Sequence, residues 1–131
     1  MKTSNKYIVI LPENLPVDGR GDRDLHGAYA QLAKRAVTEA ASEREAVTHV
    51  VFRGCTNRKL ATIISSYLLD YGQCEVYEVP EVANEDGSSM SQSEKRQAEE
   101  IFVADAIARR RGIDEFYALK ISRKLLETLA S

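Results

Sequence analysis

The chain has no tryptophan and few cysteines, histidines and prolines: two, two and three of them occur in 131 residues. Cys55 and Cys74 are too few for a disulfide framework, and neither belongs to a Cys-x-x-Cys pair of the kind that binds zinc. We therefore expect reduced thiols and no zinc site. The residue types present identify no metal ligand set and no cofactor.

Long hydrophobic runs and an excess of positive charge are also missing. The apolar run before Pro12, YIVIL, is too short for a signal-peptide core or a bilayer span. The formal net charge is -2, whereas general binding to nucleic acids or anionic membranes requires a basic face. We expect a cytoplasmic protein that binds neither membranes nor nucleic acids in general.

What is present is typical of one folded α/β domain spanning residues 1–131, with 44% hydrophobic and 29% charged residues. Short β-branched or alternating segments predict strands at residues 7–11, 47–52 and 74–79. Apolar residues at three- and four-residue steps predict helices over residues 25–40, 60–71 and 93–111, the last two ending at Gly72 and Gly112. In the third helix, Ala98, Ile101, Phe102 and Ile107 are expected to face inward.

The end of the chain allows two interpretations. Residues 116–121 (FYALKI) fit a fourth strand followed by a helix that Ser122 caps, or Asp114 starts one continuous helix. We favour the strand, because the Gly112–Asp114 segment repeats the helix-to-strand junction after Gly72. Strands that alternate with long helices predict a three-layer, Rossmann-like fold in which about three to four parallel strands have helices on both faces.

In such a sheet, ligands bind beyond the carboxyl ends of the strands, which here means residues 12–24, 53–59 and 80–93. In the second segment, Gly54 allows close backbone approach, and Thr56 or Asn57 caps the following helix. The side chains of Arg53 and Arg58 suit a phosphate or carboxylate. The segment is therefore either an anion site or only a capped helix start with solvated arginines.

Cys55 stands inside the same segment. A thiol at a helix start beside two arginines has a lowered pKa and is reactive, but the position that would carry a phosphatase-type arginine is Ala61. We favour a small buried thiol that packs under the turn and contributes to the ligand site only by its position.

The first loop, PENLPVDGRGDRDLHG, concentrates charged and polar residues. It is either a ligand-binding loop or a solvated connection. As a ligand-binding loop it would supply Glu13, Asn14, Arg20 and Arg23 to the pocket, with Asp18 and His26 as candidates for proton transfer or metal contact. His26 is alternatively an ordinary, partly exposed helix residue.

The order of these segments resembles the YdcF-like family of small α/β proteins. The similarity covers IVIL with its polar loop, HVVFRGC with the helix after it, and GQCEVYEVPE leading to SMSQSEKRQAEEI. The resemblance implies a Rossmann-like fold and a nucleotide-type ligand.

Two hypotheses of function follow. The first is a protein that binds a phosphorylated or otherwise anionic, nucleotide-like small molecule, with hydrolysis or group transfer at the anionic group if it is an enzyme. No Walker or G-x-G-x-x-G motif is present, so the sequence does not decide whether it is one. The alternative is a non-catalytic interaction protein that works as a homo-oligomer or as a subunit of a partner. An unpaired edge strand would provide its surface, with aromatic residues of which we expect most in the core: Tyr29, Tyr67, Tyr71, Tyr77 and Phe116.

Overall fold

The computed structural model describes residues 5–15, 23–79 and 91–130. Within them the chain forms three strands and five helices, in the order β1 (Asn5–Ile10), α1 (Arg23–Ala30), β2 (Arg35–Ala40), α2 (Glu43–Gly54), α3 (Arg58–Tyr71), β3 (Glu75–Val79), α4 (Gln92–Arg111) and α5 (Glu115–Ala130). The chain divides into two compact units, Met1–Val76 and Tyr77–Ser131.

The sheet has the strand order β2-β1-β3, and β1 and β2 run antiparallel, with Asn5 opposite Ala40 and Ile10 opposite Arg35. The prediction of a parallel, Rossmann-like three-layer sheet is therefore wrong. Its cause is the predicted helix over residues 25–40, which is α1 followed by β2. The alanines and the valine of RAVTEA (residues 35–40) also fit a helical period, but this segment pairs with β1 and is therefore a strand. A hydrogen bond from Leu11 N to Lys34 O, 2.8 Å long, continues the pairing next to β2.

The predicted strand over residues 47–52 is wrong, because this segment lies inside α2. Val47, Val50 and Val51 are buried at helical spacing and outweigh the strand preference of valine. Ser42 caps the helix: its hydroxyl accepts from Glu45 N at 3.2 Å, while the Glu45 carboxylate accepts from Ala41 N at 3.1 Å. This arrangement closely follows a capping box, a signal present in the sequence as SERE.

The predicted helices before Gly72 and Gly112 and the predicted strand before Pro80 are confirmed as α3, α4 and β3. Gly72 and Gly112 have φ of 59° and 63°, the left-handed backbone that ends many helices. The predicted inward face of α4 is only partly correct. Ile107 is fully buried, but Ile101 and Phe102 remain 63% and 44% exposed.

The favoured strand over residues 116–121 is wrong, and the continuous helix is correct. Asp114 accepts from Phe116 N at 2.7 Å and begins α5. Ser122 caps nothing. It is buried in the contact between α4 and α5, where its hydroxyl donates to Glu100 O at 2.7 Å. The long helical period of the whole segment decides its structure over the short β-like stretch.

The core of the first unit lies between β1 and the α2–α3 pair. Tyr7, Val9 and Leu11 alternate along the chain and point into a cluster that also contains Val51 and Leu68. This core fixes the junction between α2 and α3, residues Cys55–Asn57, against α1.

Candidate functional site

A cleft of about 600 Å³ opens between α1 and the α2–α3 junction. The described residues that line it come from α1 and the residue after it, from the end of α2, from the junction and from the first turns of α3. They are Arg23, Asp24, Gly27, Ala28, Gln31, Gly54, Cys55, Thr56, Asn57, Lys59, Leu60 and Ile63.

The junction is short because both helix ends are satisfied by nearby groups. Cys55 N donates to Val51 O at 3.0 Å, which completes the last turn of α2. The Asn57 side chain accepts from Lys59 N and Leu60 N at 3.0 and 3.2 Å and starts α3. The prediction that Thr56 or Asn57 caps a helix here is confirmed for Asn57.

Gly54 allows a close backbone approach, as the sequence predicts, but the group that approaches it is the Leu32 side chain of the same chain and not a ligand. A Cβ at this position would lie 2.7 Å from Cδ2 of the buried Leu32. Any larger residue would push this side chain aside, so glycine holds the junction close to the residues after α1.

The charges of the cleft favour an anion. Among its described lining residues, Arg23 and Lys59 are basic and Asp24 is acidic. The cleft also borders the amino end of α3, a 14-residue helix whose dipole places partial positive charge there. Asn57 already occupies two of the first N–H groups, so the basic side chains and the helix field supply most of the attraction.

Five of the predicted ligand-binding residues line this cleft: Arg23, Gly54, Cys55, Thr56 and Asn57. The reason for their proximity differs from the predicted one. They meet at a helix–helix junction facing α1, whereas the prediction placed them at the carboxyl edge of parallel strands. Lys59 was not predicted as a site residue. Its position in the first turn of a helix, two residues after the capping Asn57, could have indicated that it lies near the same site.

Arg53 and Arg58 do not belong to the lining residues. Arg53 lies in the last turn of α2 and points toward β2, where its guanidinium donates to Val37 O at 3.3 Å and to Thr38 Oγ1 at 3.0 Å. Arg58 is exposed at the start of α3. The sequence suggested a role for both because they flank the junction, but the helical geometry of residues 43–54 directs Arg53 away from it.

The other predicted residues lie apart from the cleft or outside the described residues. His26 is exposed on α1 and does not line the cleft, and Glu13 and Asn14 are exposed after β1. Asp18 and Arg20 fall in residues 16–22, and most of the predicted segment 80–93 falls in residues 80–90; both stretches lie outside the described residues.

Cys55 is buried, and its thiol donates to Asn57 O at 3.4 Å. This contact fits the favoured interpretation of a small thiol that packs under the turn. Cys74 is also buried, and neither cysteine forms a disulfide.

Tyr29 fixes the carboxyl-terminal part of α1 to the segment after β1, because its hydroxyl donates to Pro12 O. Burial is the main cause that raises the pKa of Tyr29 to about 12, with further contributions from Cys74 and Glu13. Lys34 Nζ lies 3.5 Å from the centre of the Tyr29 ring and donates to Tyr29 O at 2.6 Å. Burial lowers the pKa of Lys34, and Glu13 opposes that shift.

The part of the chain that the structure describes contains no group of three or more histidine, cysteine, aspartate or glutamate side chains able to hold a metal ion. None of the described helices is both long enough and apolar enough to cross a bilayer.

Comparisons with protein-family models, with curated proteins and with solved structures find no match for this chain. The resemblance to the YdcF-like family therefore stays a prediction.

Proposed function

We propose that the cleft between α1 and the α2–α3 junction binds a small phosphorylated or otherwise anionic molecule. The observation that carries this proposal is the convergence of Arg23 from α1 and Lys59 from α3 on one cleft at the amino end of a long helix. The two basic groups outnumber the acidic Asp24 among the described lining residues, so an anion gains more than a neutral ligand.

The residue types suit a phosphate group. An arginine guanidinium presents paired N–H donors that match two phosphate oxygens, and a lysine ammonium adds a mobile positive charge. The Thr56 hydroxyl and the Asn57 amide are further polar groups in the same lining. These donors come from α1, from the α2–α3 junction and from α3, so they would surround the anion from more than one side.

The dimensions of the cleft support a ligand larger than free phosphate. Its volume of about 600 Å³ lies within the range of roughly 300–1,000 Å³ that is typical of small-molecule sites. Ala28, Leu60 and the half-exposed Ile63 add apolar surface to the same lining. A molecule with an anionic end and a planar, less polar end, such as a nucleotide, would use both kinds of surface.

The proposal is limited to binding. The thiol of Cys55 is buried and bonded to Asn57 O, and His26 does not line the cleft. Neither group is placed to take part in hydrolysis or group transfer there.

A cytoplasmic location forms part of the proposal, since both buried cysteines are free thiols. Imaging a fluorescent fusion of the protein in cells tests this location.

Calorimetric titration with inorganic pyrophosphate and with adenosine diphosphate tests the binding. We expect saturable binding, and we expect Arg23→Ala and Lys59→Ala each to raise the dissociation constant by about tenfold, the loss of one charge-assisted contact. Arg44→Ala removes an exposed arginine from α2 and serves as the matched control, with unchanged affinity.

Arg53→Ala separates the cleft from the edge-of-sheet site that the sequence suggested. Because Arg53 bonds to β2, we expect this variant to keep the affinity of the unmodified chain. The proposal fails if neither anion binds, or if Arg23→Ala and Lys59→Ala bind as tightly as Arg44→Ala.

A further inference from the structure

The hairpin of α4 and α5 carries most of the large exposed apolar side chains of the described residues. Ile101, Phe116 and Tyr117 are 63%, 70% and 67% exposed, and Phe102 is 44% exposed. We call these four residues, together with Leu119, the hairpin face. Exposed aromatic and aliphatic residues gathered in one region are characteristic of a protein-binding surface.

The inner side of the hairpin is already filled by its own contacts. Val103, Ile107, Ala118 and Leu125 are buried, and Ser122 bonds to Glu100 O. The hairpin face is therefore additional apolar surface that the packing of α4 on α5 does not require.

A groove of about 410 Å³ forms part of the hairpin face. Ile101, Phe102, Ala104 and Leu119 give it an apolar lining, and Asp105 and Glu115 contribute one carboxylate from each helix. The Asp105 carboxylate already pairs with the Arg109 guanidinium at 3.1 Å, so Glu115 is the carboxylate that can attract an occupant. The groove therefore suits an apolar anchor that carries a positive charge.

The same hairpin supplies that combination next to the groove. The Lys120 ammonium lies 5.3 Å from the centre of the Phe116 ring and 5.8 Å from that of the Tyr117 ring. An aromatic anchor with a positive charge over its ring therefore lies on the same helix as the acidic Glu115, with Phe116 next to it in the chain and Lys120 five residues after it. The hairpin face therefore contains both a groove bordered by Glu115 and an aromatic ring with a positive charge that suits such a groove.

We propose that a second copy of this chain covers the hairpin face, and that the two hairpins pack about a two-fold axis. Each copy places Phe116 in the groove of the other, and each Lys120 faces the second copy's Glu115. A two-fold interface requires a patch that is complementary to itself, which this charge distribution provides. Four helices would then enclose a shared apolar layer, as in a helical bundle.

Sedimentation equilibrium of the full chain over a concentration series tests the association. We expect a monomer–dimer equilibrium that Phe116→Ser weakens by at least about thirtyfold, the effect of removing a central aromatic anchor. Tyr71→Ser is the matched control, since Tyr71 is 64% exposed on α3, outside the hairpin face. This control should dimerise as tightly as the unmodified chain.

A charge exchange identifies the occupant as a second copy. Lys120→Glu alone and Glu115→Lys alone should each yield monomers, because like charges then meet across the two-fold axis. An equimolar mixture of the two variants should form a heterodimer, since opposite charges meet at both contacts. Circular dichroism verifies that each variant keeps its helices.

A chain that is monomeric at all concentrations overturns the proposal. A dimer that Phe116→Ser leaves unchanged, or variants that remain monomeric when mixed, would also overturn it. None of these outcomes bears on anion binding, because the cleft is lined by other residues.

Discussion

Tyr29 combines burial with a hydrogen bond from its hydroxyl to Pro12 O. Its pKa rises from 10.0 to about 12, mainly because burial disfavours the anionic phenolate. A raised pKa in the folded state means that the neutral hydroxyl stabilises the fold below pH 10. That contribution declines as the pH rises from about 10 to about 12, because only the unfolded chain then loses the proton readily.

Tyr29→Phe tests this assignment. At neutral pH we expect the free energy of unfolding to fall by about 1 kcal/mol, the value of one hydrogen bond with a buried group. The difference from the unmodified chain should shrink between pH 10 and pH 12, where the Tyr29 contribution is lost.

Urea unfolding at several pH values measures both effects, and Tyr71→Phe is the control because Tyr71 is exposed. A difference between Tyr29→Phe and the unmodified chain that stays constant up to pH 12 would contradict the assigned pKa.

At the scale of the element, α3 has both of its ends defined by single residues. Asn57 accepts two backbone N–H groups at the start, and Gly72 takes the left-handed conformation at the end. The amino end also borders the proposed ligand site, so Asn57 affects both the stability of the helix and the charge of the cleft.

Two substitutions at Asn57 separate these effects. Asn57→Ala removes the acceptor and should lower the free energy of unfolding by about 1 kcal/mol. Asn57→Asp keeps an acceptor and should preserve stability to within about half of that. It also adds a negative charge to the cleft, so its affinity for pyrophosphate should fall further than that of Asn57→Ala.

Thermal unfolding and calorimetric titration of the same samples give the two readouts. Equal affinities for the two variants would argue against an anion at this end of α3.

At the scale of the whole molecule, the first unit depends on a core to which β1, α2 and α3 all contribute. Leu68 is fully buried there, whereas Ile63 of the same helix is 44% exposed. We expect Leu68→Ala to cost about 2–5 kcal/mol of unfolding free energy and Ile63→Ala less than about 1 kcal/mol, because only the first leaves a cavity.

Urea unfolding monitored by circular dichroism measures both costs. Hydrogen exchange should place the loss of protection for Leu68→Ala in β1, α2 and α3. Similar costs for the two variants would show that Leu68 does not lie in the core of this unit.

The two helices that were predicted correctly, α3 and α4, are both long. The segments that became α3 and α4 contain several helical turns of periodic apolar residues and end at a glycine. Over such lengths the spacing of the apolar residues outweighs the preferences of individual residues, so the predicted helix is also the structure that forms.

The segments that became β2 and α2 were predicted incorrectly because their apolar residues fit both a helix and a strand. RAVTEA fits a helix until it pairs with β1, and the valines of α2 favour a strand until Ala46, Val47, Val50 and Val51 are buried along one side of a helix. A partner distant in the sequence decides such segments, so local patterns do not determine them.

Local sequence patterns were sufficient to predict the two long helices with their glycine ends, the presence of β1 and β3, and a helix start at Asn57. These depend on interactions between residues close in the chain. Only the tertiary structure decided that β2 runs antiparallel to β1, that Arg53 bonds to β2, and that Arg23 and Lys59 line the same cleft. Each of these depends on contacts between residues far apart in the chain, and the packing of the whole core sets their positions.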